Sequence, residues 1–348
     1  MSNTLLQWKW LRGMVVLGLA VAIGLAAGCG RTESPEEEAD AEVAVDPEQV
    51  EQELAALEHR FGMYYDGEAD GERLLADLAE FVERHPDRYE ARRLYAQTLQ
   101  LAQQSEQAYE QFVAAVELKP DDVELRLLVG DTAMQMREYE TAQRHYSQAV
   151  DIKPRDARLR VRLAQSLIEQ QRYDEARMIL LREAIPLDSS LYSAHVALSD
   201  LYARQNKVDL AIGQIDRALE LLPASDTGRA ILYTRRKGAL LRRTNRPGDA
   251  LATLRDLPVE HHLRIDVAQD MADCWAMLGQ PERAARHFEL ILSRDPSDDL
   301  AAAEAANWHL KAGQYGEARR RIEQLRDINP RSSALPTLER TLAQMTEE

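Results

Sequence analysis

The 348-residue chain is poor in cysteine, in phenylalanine and in net positive charge. Its two cysteines, Cys29 and Cys274, cannot form a disulfide framework, and no spacing of cysteine and histidine matches a zinc site. With 59 acidic against 43 basic residues the formal net charge is −16. This charge excludes nucleic acid as the main partner, because phosphate binding needs a basic surface. Four phenylalanines beside 49 alanines favour packed helices over a β-sandwich.

The sequence also lacks the motifs that carry common enzyme chemistry. It has no phosphate-binding glycine loop, no H-E-x-x-H metal motif and no G-x-S-x-G nucleophile motif. The adjacent His261 and His262 fall at a predicted turn between repeats, where turn residues are expected rather than metal ligands. Cys274 lies inside a predicted helix and is expected to be a buried structural thiol. We therefore expect no catalytic residue, metal or cofactor.

A single long uncharged run occupies residues 13–28, after Lys9 and Arg12 and before Cys29. As a helix it would be ~24 Å long at 1.5 Å per residue, which is shorter than the ~30 Å hydrocarbon core of a bilayer. Its length and flanks predict a cleaved secretory signal at residues 1–28. The alternative is an uncleaved signal anchor in which Cys29 has no role.

The end of this run, L-A-A-G-C at residues 25–29, resembles the lipobox of bacterial lipoproteins. The resemblance implies cleavage before Cys29 and attachment of a diacylglycerol to its sulfur. The usual leucine three places before the cysteine is replaced by Ala26, with a leucine one place earlier. Gly30 differs from the aspartate associated with inner-membrane retention in enterobacteria. The resemblance thus implies a periplasm-facing lipoprotein and favours the outer membrane over the inner.

An acidic tether is predicted at residues 29–53. Residues 30–53 hold ten acids against one arginine and no aromatic residue, so the segment cannot bury enough apolar surface to offset its ordering entropy. A helix is predicted to begin near Asp46 and Pro47, because an aspartate cap followed by a first-turn proline is a typical helix start.

The remainder, residues 54–348, repeats with a period of 34, as the spacing of Pro86, Pro120 and Pro154 indicates. Units are predicted to start at residues 55, 89, 123, 157, 192, 231, 265 and 299. One extra residue precedes residue 192 and five precede residue 231. Residues 333–348 predict a capping helix with Leu338 and Leu342 facing inward, because a stack of repeats cannot end on a bare apolar face.

Three positions of the repeat explain its packing. The eighth is small in every unit, the twentieth is alanine in seven of the eight, and the twenty-fourth is bulky and apolar. Small residues let two helices approach, and bulky residues fill the groove beside the crossing. The pattern resembles the tetratricopeptide repeat, most closely in unit 123–156 through Gly130, Ala142, Tyr146 and Pro154. The resemblance implies an all-α fold, an α-solenoid of about eight helix-turn-helix units plus the C-terminal cap.

In that family the first helix of each unit lines a groove that holds protein partners, either an extended peptide or a helix. Two alternatives are open for the apolar groove positions: an exposed interface patch, or side chains covered by neighbouring first helices. Asp131 and Asp200 are expected to accept a basic residue or backbone N–H groups of a partner. The lysine–asparagine clamp of chaperone-tail binders is absent. The predicted groove residues are Leu127, Asp131, Met134, Val161, Gln165, Ile168, Val196 and Asp200.

A second candidate is a basic patch between residues 229 and 246, a stretch that contains no acid. It would hold an anionic partner, such as a glycolipid, if its charges were free. The alternative is a solvated face neutralised by acids of neighbouring units. The patch comprises Arg229, Arg235, Arg236, Lys237, Arg242, Arg243 and Arg246.

The sequence therefore predicts a membrane-anchored envelope lipoprotein without enzyme activity, a scaffold for assembling an envelope, secretion or pilus machine. Its partners would be proteins in the groove and the membrane through the N-terminal lipid. Two alternatives remain open. One is an inner-membrane signal-anchored array serving an export or cofactor-assembly machine, and the other is a glycan or lipid carrier that uses the basic patch.

Overall fold

The computed structural model describes residues 46–347. The predicted signal, Cys29 and the tether up to residue 45 lie outside this part of the chain. Two units are distinguished, Met1–Gln52 and Glu53–Glu348, and the described part of the first is the beginning of one helix. Within residues 46–347 no helix is long and apolar enough to cross a membrane.

Helices make up the second unit, and from the second helix onward consecutive helices pack against each other, except at one three-residue helix, where the helices on either side contact each other instead. Every repeat supplies a first and a second helix joined by a short turn, so the fold is an all-α solenoid of helix pairs. The helices are α1 Pro47–Tyr65, α2 Gly71–Arg84, α3 Tyr89–Leu101, α4 Ser105–Leu118, α5 Val123–Gln135, α6 Tyr139–Ile152, α7 Ala157–Glu169, α8 Tyr173–Ile179, α9 Ile185–Leu187, α10 Tyr192–Arg204, α11 Val208–Leu221, α12 Thr227–Arg243, α13 Pro247–Arg255, α14 Ile265–Met277, α15 Pro281–Arg294, α16 Asp299–Lys311, α17 Tyr315–Ile328 and α18 Leu335–Glu347.

Six of the eight predicted unit starts coincide with the first residue of a helix. Residues 89, 123, 157, 192, 265 and 299 begin α3, α5, α7, α10, α14 and α16. Aspartates cap four of the first helices, as Asp122 does by accepting backbone N–H bonds from Glu124 and Leu125. The predicted start at Pro47 is also confirmed, so α1 begins inside the segment 29–53 that was assigned to the tether.

The two remaining units depart from the repeat. In the first, Gly62 is exposed and a Cβ there would meet no atom within 4 Å, so the predicted small-residue crossing is wrong at this position. In the sixth, the five extra residues lengthen the first helix, and α12 starts at Thr227 rather than at residue 231. The same insertion borders an apolar cavity of 230 Å³ beside Pro223 and Pro258.

A π-helical segment, Leu180–Ala184, absorbs the one extra residue of unit 157–191. It lies between α8 and α9 and thus interrupts the second helix of this unit. A π-bulge accommodates one additional residue within an α-helix through i→i+5 hydrogen bonds. The insertion leaves Leu180 in the twenty-fourth position. It buries Ala184 instead of Glu183 at the twenty-seventh position, where the other units bury an alanine or a larger apolar residue. Both Leu180 and Ala184 are fully buried, so the core of the repeat is unchanged on either side of the bulge.

The three packing positions are buried as predicted from the second unit onward. At the eighth position Ala96, Ala164 and Ser199 are fully buried, and the twentieth and twenty-fourth positions are buried in all eight units. The cap is also confirmed, because Leu338 and Leu342 of α18 are buried in the same core cluster as the last two repeats. Cys274 is fully buried, as predicted for a structural thiol, and burial raises its pKa.

A regular feature of the turns was not predicted. The residue at position fifteen of seven units has a positive φ of 58–71°, which closes each first helix in the left-handed conformation. Asparagine and glycine tolerate this conformation best. They occupy it in the last four of these units, whereas Gln103, Arg137 and Gln171 occupy it in the first three.

Candidate functional site

The predicted apolar groove does not form an exposed patch. Val161 and Ile168 are only 3% and 2% exposed and belong to the core around α7, α8 and α10. Leu127, Met134 and Val196 are half-buried and pack against core clusters of their own or the next repeat. The expectation of a continuous apolar interface is therefore wrong, because adjacent first helices such as α7 and α10 contact each other and cover these side chains.

Both predicted groove carboxylates already have intramolecular partners. Asp131 accepts a hydrogen bond from the Tyr146 hydroxyl at 2.5 Å and one from Arg162 at 2.8 Å. Burial and the Asp131 carboxylate together raise the pKa of Tyr146 far above its ordinary value. Asp200 pairs with Arg236. The expectation that these two aspartates stand ready for a partner is corrected, since each neutralises an arginine of the next repeat.

Most of the basic patch is neutralised in the same way. Arg235 contacts Asp266 at 2.7 Å and Asp270 at 2.5 Å, and Arg242 contacts the same Asp270 at 2.9 Å. Arg236 pairs with Asp200, Lys237 with Asp216, and Arg246 with Asp209 and Asp249, while Arg243 donates to the side-chain oxygen of Asn206. The neutralised face therefore describes Arg235, Arg236, Lys237, Arg242 and Arg246, whereas Arg243 pairs with no acid among the described residues and Arg229 keeps a single exposed ion pair with Asp226.

A different cavity of 450 Å³ lies where the first helices α7, α10 and α12 meet, and we call it the first-helix cavity. It spans three consecutive repeats. Of the predicted groove residues only Val161 and Gln165 line it. Its lining residues are Arg158, Val161, Arg162 and Gln165 of α7, Leu191, Tyr192 and Ser193 at the start of α10, and Arg229 and Tyr233 of α12.

Three exposed arginines give this cavity a positive lining. Arg162 and Arg229 each contact one carboxylate, Asp131 and Asp226 respectively. Arg158 lies within 4 Å of no carboxylate among residues 46–347, although beside the hydrogen bonds from Ser190 its charge also lowers the pKa of Asp188. Each guanidinium carries five N–H donors and these ion pairs use only part of them, so N–H groups of all three arginines remain available to a ligand without loss of the existing pairs.

Two tyrosine rings form the opposite wall. Tyr192 and Tyr233 lie with ring centroids 6.3 Å apart at 51° to each other, within the range of favourable aromatic pairs. The Arg229 guanidinium lies 5.9 Å from the Tyr192 ring centroid, which is a cation–π distance. Burial and the adjacent Tyr192 raise the pKa of Tyr233, so its hydroxyl stays protonated at neutral pH. The cavity thus offers aromatic faces beside cationic donors.

Val161, Gln165 and Arg229 were predicted, as groove or basic-patch residues, and the other lining residues were missed. Arg158 and Arg162 occupy the second and sixth positions of their unit, and Arg229 lies in the five-residue insertion before residue 231. A usable signal was present, since Arg158, Arg160 and Arg162 alternate along the start of α7, whose first turn contains no acid.

The described residues contain no group of three histidine, cysteine, aspartate or glutamate side chains that could hold a metal ion. His261 and His262 lie in a short 3₁₀ segment, Val259–Leu263, between repeats, as predicted for turn residues. The His262 backbone carbonyl accepts a hydrogen bond from the ring of His287 at 2.7 Å.

Two family models, both described as tetratricopeptide repeat, match residues 127–191 and 276–342. No curated protein sequence matches the chain. Similar solved structures include MamA 41-end from Desulfovibrio magneticus RS-1, with a TM-score of 0.43 and 17% identity over 50% of this chain and 94% of that one. The APC/C hetero-tetramer Cut9–Hcn1 matches with a TM-score of 0.44 and 14% identity over 86% of this chain and 56% of that one.

Proposed function

Because the chain is a tetratricopeptide repeat protein, and such repeats are scaffolds for protein–protein interaction, we propose that it is an envelope lipoprotein that recruits partners through its first helices. The observation that carries the recruitment is the first-helix cavity, which three consecutive repeats share. A site made by several repeats suits an extended segment of another protein, since such a segment can contact each repeat in turn.

The interaction is tested by filling the cavity. Replacing Ser193 by tyrosine, together with Gln165 by tyrosine, places two rings in the cavity without altering its charge. We expect proteins captured by in-cell crosslinking of the native chain to be lost with this double variant. The control is Ser293→Tyr, an exposed change on the second helix α15. Equal recovery of the same proteins from native and double-variant chains would contradict recruitment through the cavity.

The lipid anchor is proposed from the sequence L-A-A-G-C at residues 25–29 and the short uncharged run before it. A mature N-terminus at Cys29 with several acyl chains would give stable membrane attachment, which a single chain does not. In this proposal the solenoid faces the periplasm, at the outer membrane in preference to the inner, where it supports assembly of an envelope, secretion or pilus machine.

The anchor predicts opposite behaviour for the two cysteines. We expect Cys29→Ala to leave the protein in the soluble fraction, because the acylated sulfur is gone, while the native chain stays with membranes. Cys274→Ala is the matched control and should remain in the membrane fraction, since Cys274 is buried in the repeat core. Membrane retention of Cys29→Ala, with a mass that includes residues 1–28, would support the signal-anchored alternative instead.

A further inference from the structure

The first-helix cavity carries a more specific inference about the partner, which rests on the proposed scaffold function. We propose that the cavity binds acidic side chains of an extended polypeptide segment, with glutamate or aspartate carboxylates held by Arg158, Arg162 and Arg229. The chain has a net charge of −16, so the charge of a cavity lined by three arginines has the opposite sign to that of the chain as a whole. A negatively charged protein recognises an acidic partner only where such a local reversal of charge exists.

The arginines can receive a carboxylate without rebuilding the fold. Arg158 is exposed and lies within 4 Å of no carboxylate of residues 46–347. Arg162 and Arg229 have side-chain exposures of 49% and 55%, so the N–H donors that their aspartates do not use stay accessible to a second carboxylate. An arginine presents five N–H donors in a planar fork, so it can hold a partner carboxylate through two parallel bonds. Three exposed forks in one cavity suit more than one acidic side chain.

The rest of the lining suits a polypeptide rather than a bare anion. The Gln165 amide can both donate to and accept from a peptide backbone, and no hydrogen bond within residues 46–347 engages its oxygen or nitrogen. The partly exposed Tyr192 ring, backed by the buried Tyr233 ring, offers an apolar surface on which a side chain between two acids can lie. This combination of cationic forks, an amide and aromatic faces matches an extended segment in which acidic and apolar residues alternate.

An anionic lipid surface also carries negative charge, but it suits this cavity less well than a polypeptide does. A membrane is flat, and its approach would bring the many acids of the chain close to lipid phosphates, where like charges repel. A segment that enters a cavity of 450 Å³ contacts the arginines and leaves the acidic exterior in solvent. We therefore infer a protein partner. The experiment below distinguishes it from an anionic lipid.

The test compares two fluorescein-labelled peptides by fluorescence anisotropy with the full chain in an uncharged detergent. One peptide alternates glutamate and leucine, and the other has glutamine in place of every glutamate. At low salt we expect the glutamate peptide to bind roughly tenfold more tightly, because charge-assisted bonds to arginine are about twice as strong as neutral ones. Its affinity should fall as salt is raised, since these sites are exposed. Equal affinities for the two peptides would overturn the inference.

Charge-removing variants then locate the site. Arg158→Gln and Arg229→Gln should each weaken glutamate-peptide binding by roughly fivefold, whereas Arg217→Gln should leave it unchanged. Arg217 is a matched control, because it is an exposed arginine of the second helix α11 that pairs only with Glu220 in the described part of the chain. The two cavity arginines are exposed, so we expect all three variants to keep the native melting temperature. An equal loss with Arg217→Gln would overturn the assignment to this cavity.

Phosphatidylglycerol vesicles test whether an anionic lipid surface binds to the same arginines. If vesicles bind with the same dependence on Arg158 while the glutamate peptide does not bind, the inference is overturned in favour of a lipid. The acidic specificity can be overturned while the scaffold function stands. If the cavity-filling variant loses crosslinked partners and Arg158→Gln keeps them, the scaffold function stands and the acidic specificity is overturned.

Discussion

Gly130→Ala is expected to lower the free energy of unfolding by about 2 kcal/mol, a typical cost of overpacking a filled core. A Cβ at residue 130 would lie closer than 3.0 Å to three ring atoms of Tyr146. This ring is 1% exposed, and its hydroxyl is bonded to Asp131 at 2.5 Å. The ring therefore cannot move aside without breaking that bond or separating α5 from α6. Urea unfolding followed by circular dichroism measures the effect.

Gly238→Ala is the matched control, since Gly238 occupies the same eighth position in another unit. A Cβ there would lie 3.5 Å from Leu254 Cγ, an ordinary van der Waals distance. Alanine is favoured over glycine in helices by about 1 kcal/mol, so this variant is expected to be as stable as the native chain or more stable. If the two substitutions changed stability equally, the aromatic contact would not be what requires glycine at residue 130.

The repeat core could be predicted because its constraints recur in the sequence. A position that must be small at a helix crossing repeats every 34 residues, so the eighth, twentieth and twenty-fourth positions reveal the packing without a structure. The exceptions are equally physical. An isolated extra residue in unit 157–191 produces the π-helical segment Leu180–Ala184, and the sequence shows the insertion but not where along the helix it is absorbed.

The basic patch was predicted from the charges of residues 229–246 alone, without the acids of the neighbouring repeats that pack against it. The acids that neutralise it lie about one repeat away, as in the Arg235–Asp266 pair, 31 residues apart, and the Arg246–Asp209 pair, 37 residues apart. In a solenoid each repeat contacts its neighbours, so the relevant charge of any arginine includes positions roughly one period on either side. Applied to the predicted patch, this rule finds acids for Arg235, Arg236, Arg242 and Arg246.

The groove prediction failed for a related reason. The family pattern names positions on the first helices, but burial at each position depends on how closely the neighbouring first helix packs. Where α7 contacts α10, Val161 and Ile168 become core residues. The accessible surface moves to the second and sixth positions, which carry Arg158 and Arg162. The second position also lines the groove in tetratricopeptide repeats, but in this unit the prediction named only the residues at the fifth, ninth and twelfth positions, Val161, Gln165 and Ile168.

The second large effect is expected from Glu289→Gln, which should lower the free energy of unfolding by about 2 kcal/mol at neutral pH, as loss of the charged partner of a buried group does. The Glu289 carboxylate accepts from His309 at 2.9 Å and from Arg321 at 2.7 Å, across α15, α16 and α17. His309 is 5% exposed, and its other ring nitrogen faces the Gln314 side-chain oxygen at 2.7 Å. Without the Glu289 charge, Arg321 loses the anion that compensates it, and the buried His309 ring faces a weaker, neutral acceptor.

The pH dependence identifies the carboxylate as the source. Hydrogen bonds from His309 and Arg321 outweigh the opposing effect of burial and lower the pKa of Glu289 from 4.5 to about 2. Because the folded pKa lies below the unfolded one, the stabilisation is fully present above about pH 4.5. It is lost progressively as the pH falls towards 2. The stability difference between the native chain and Glu289→Gln should therefore shrink between pH 5 and roughly pH 2.5.

Glu323→Gln is the control for this titration, since Glu323 is an exposed acid of α17 that forms no ion pair within residues 46–347. It should leave both the urea midpoint at pH 7 and its pH dependence unchanged. A Glu289→Gln chain that kept the native midpoint at pH 7 would mean that solvent, rather than the carboxylate, compensates His309 and Arg321. A loss that stayed constant down to pH 2.5 would contradict the assignment to the carboxylate charge, because protonation removes that charge from the native chain.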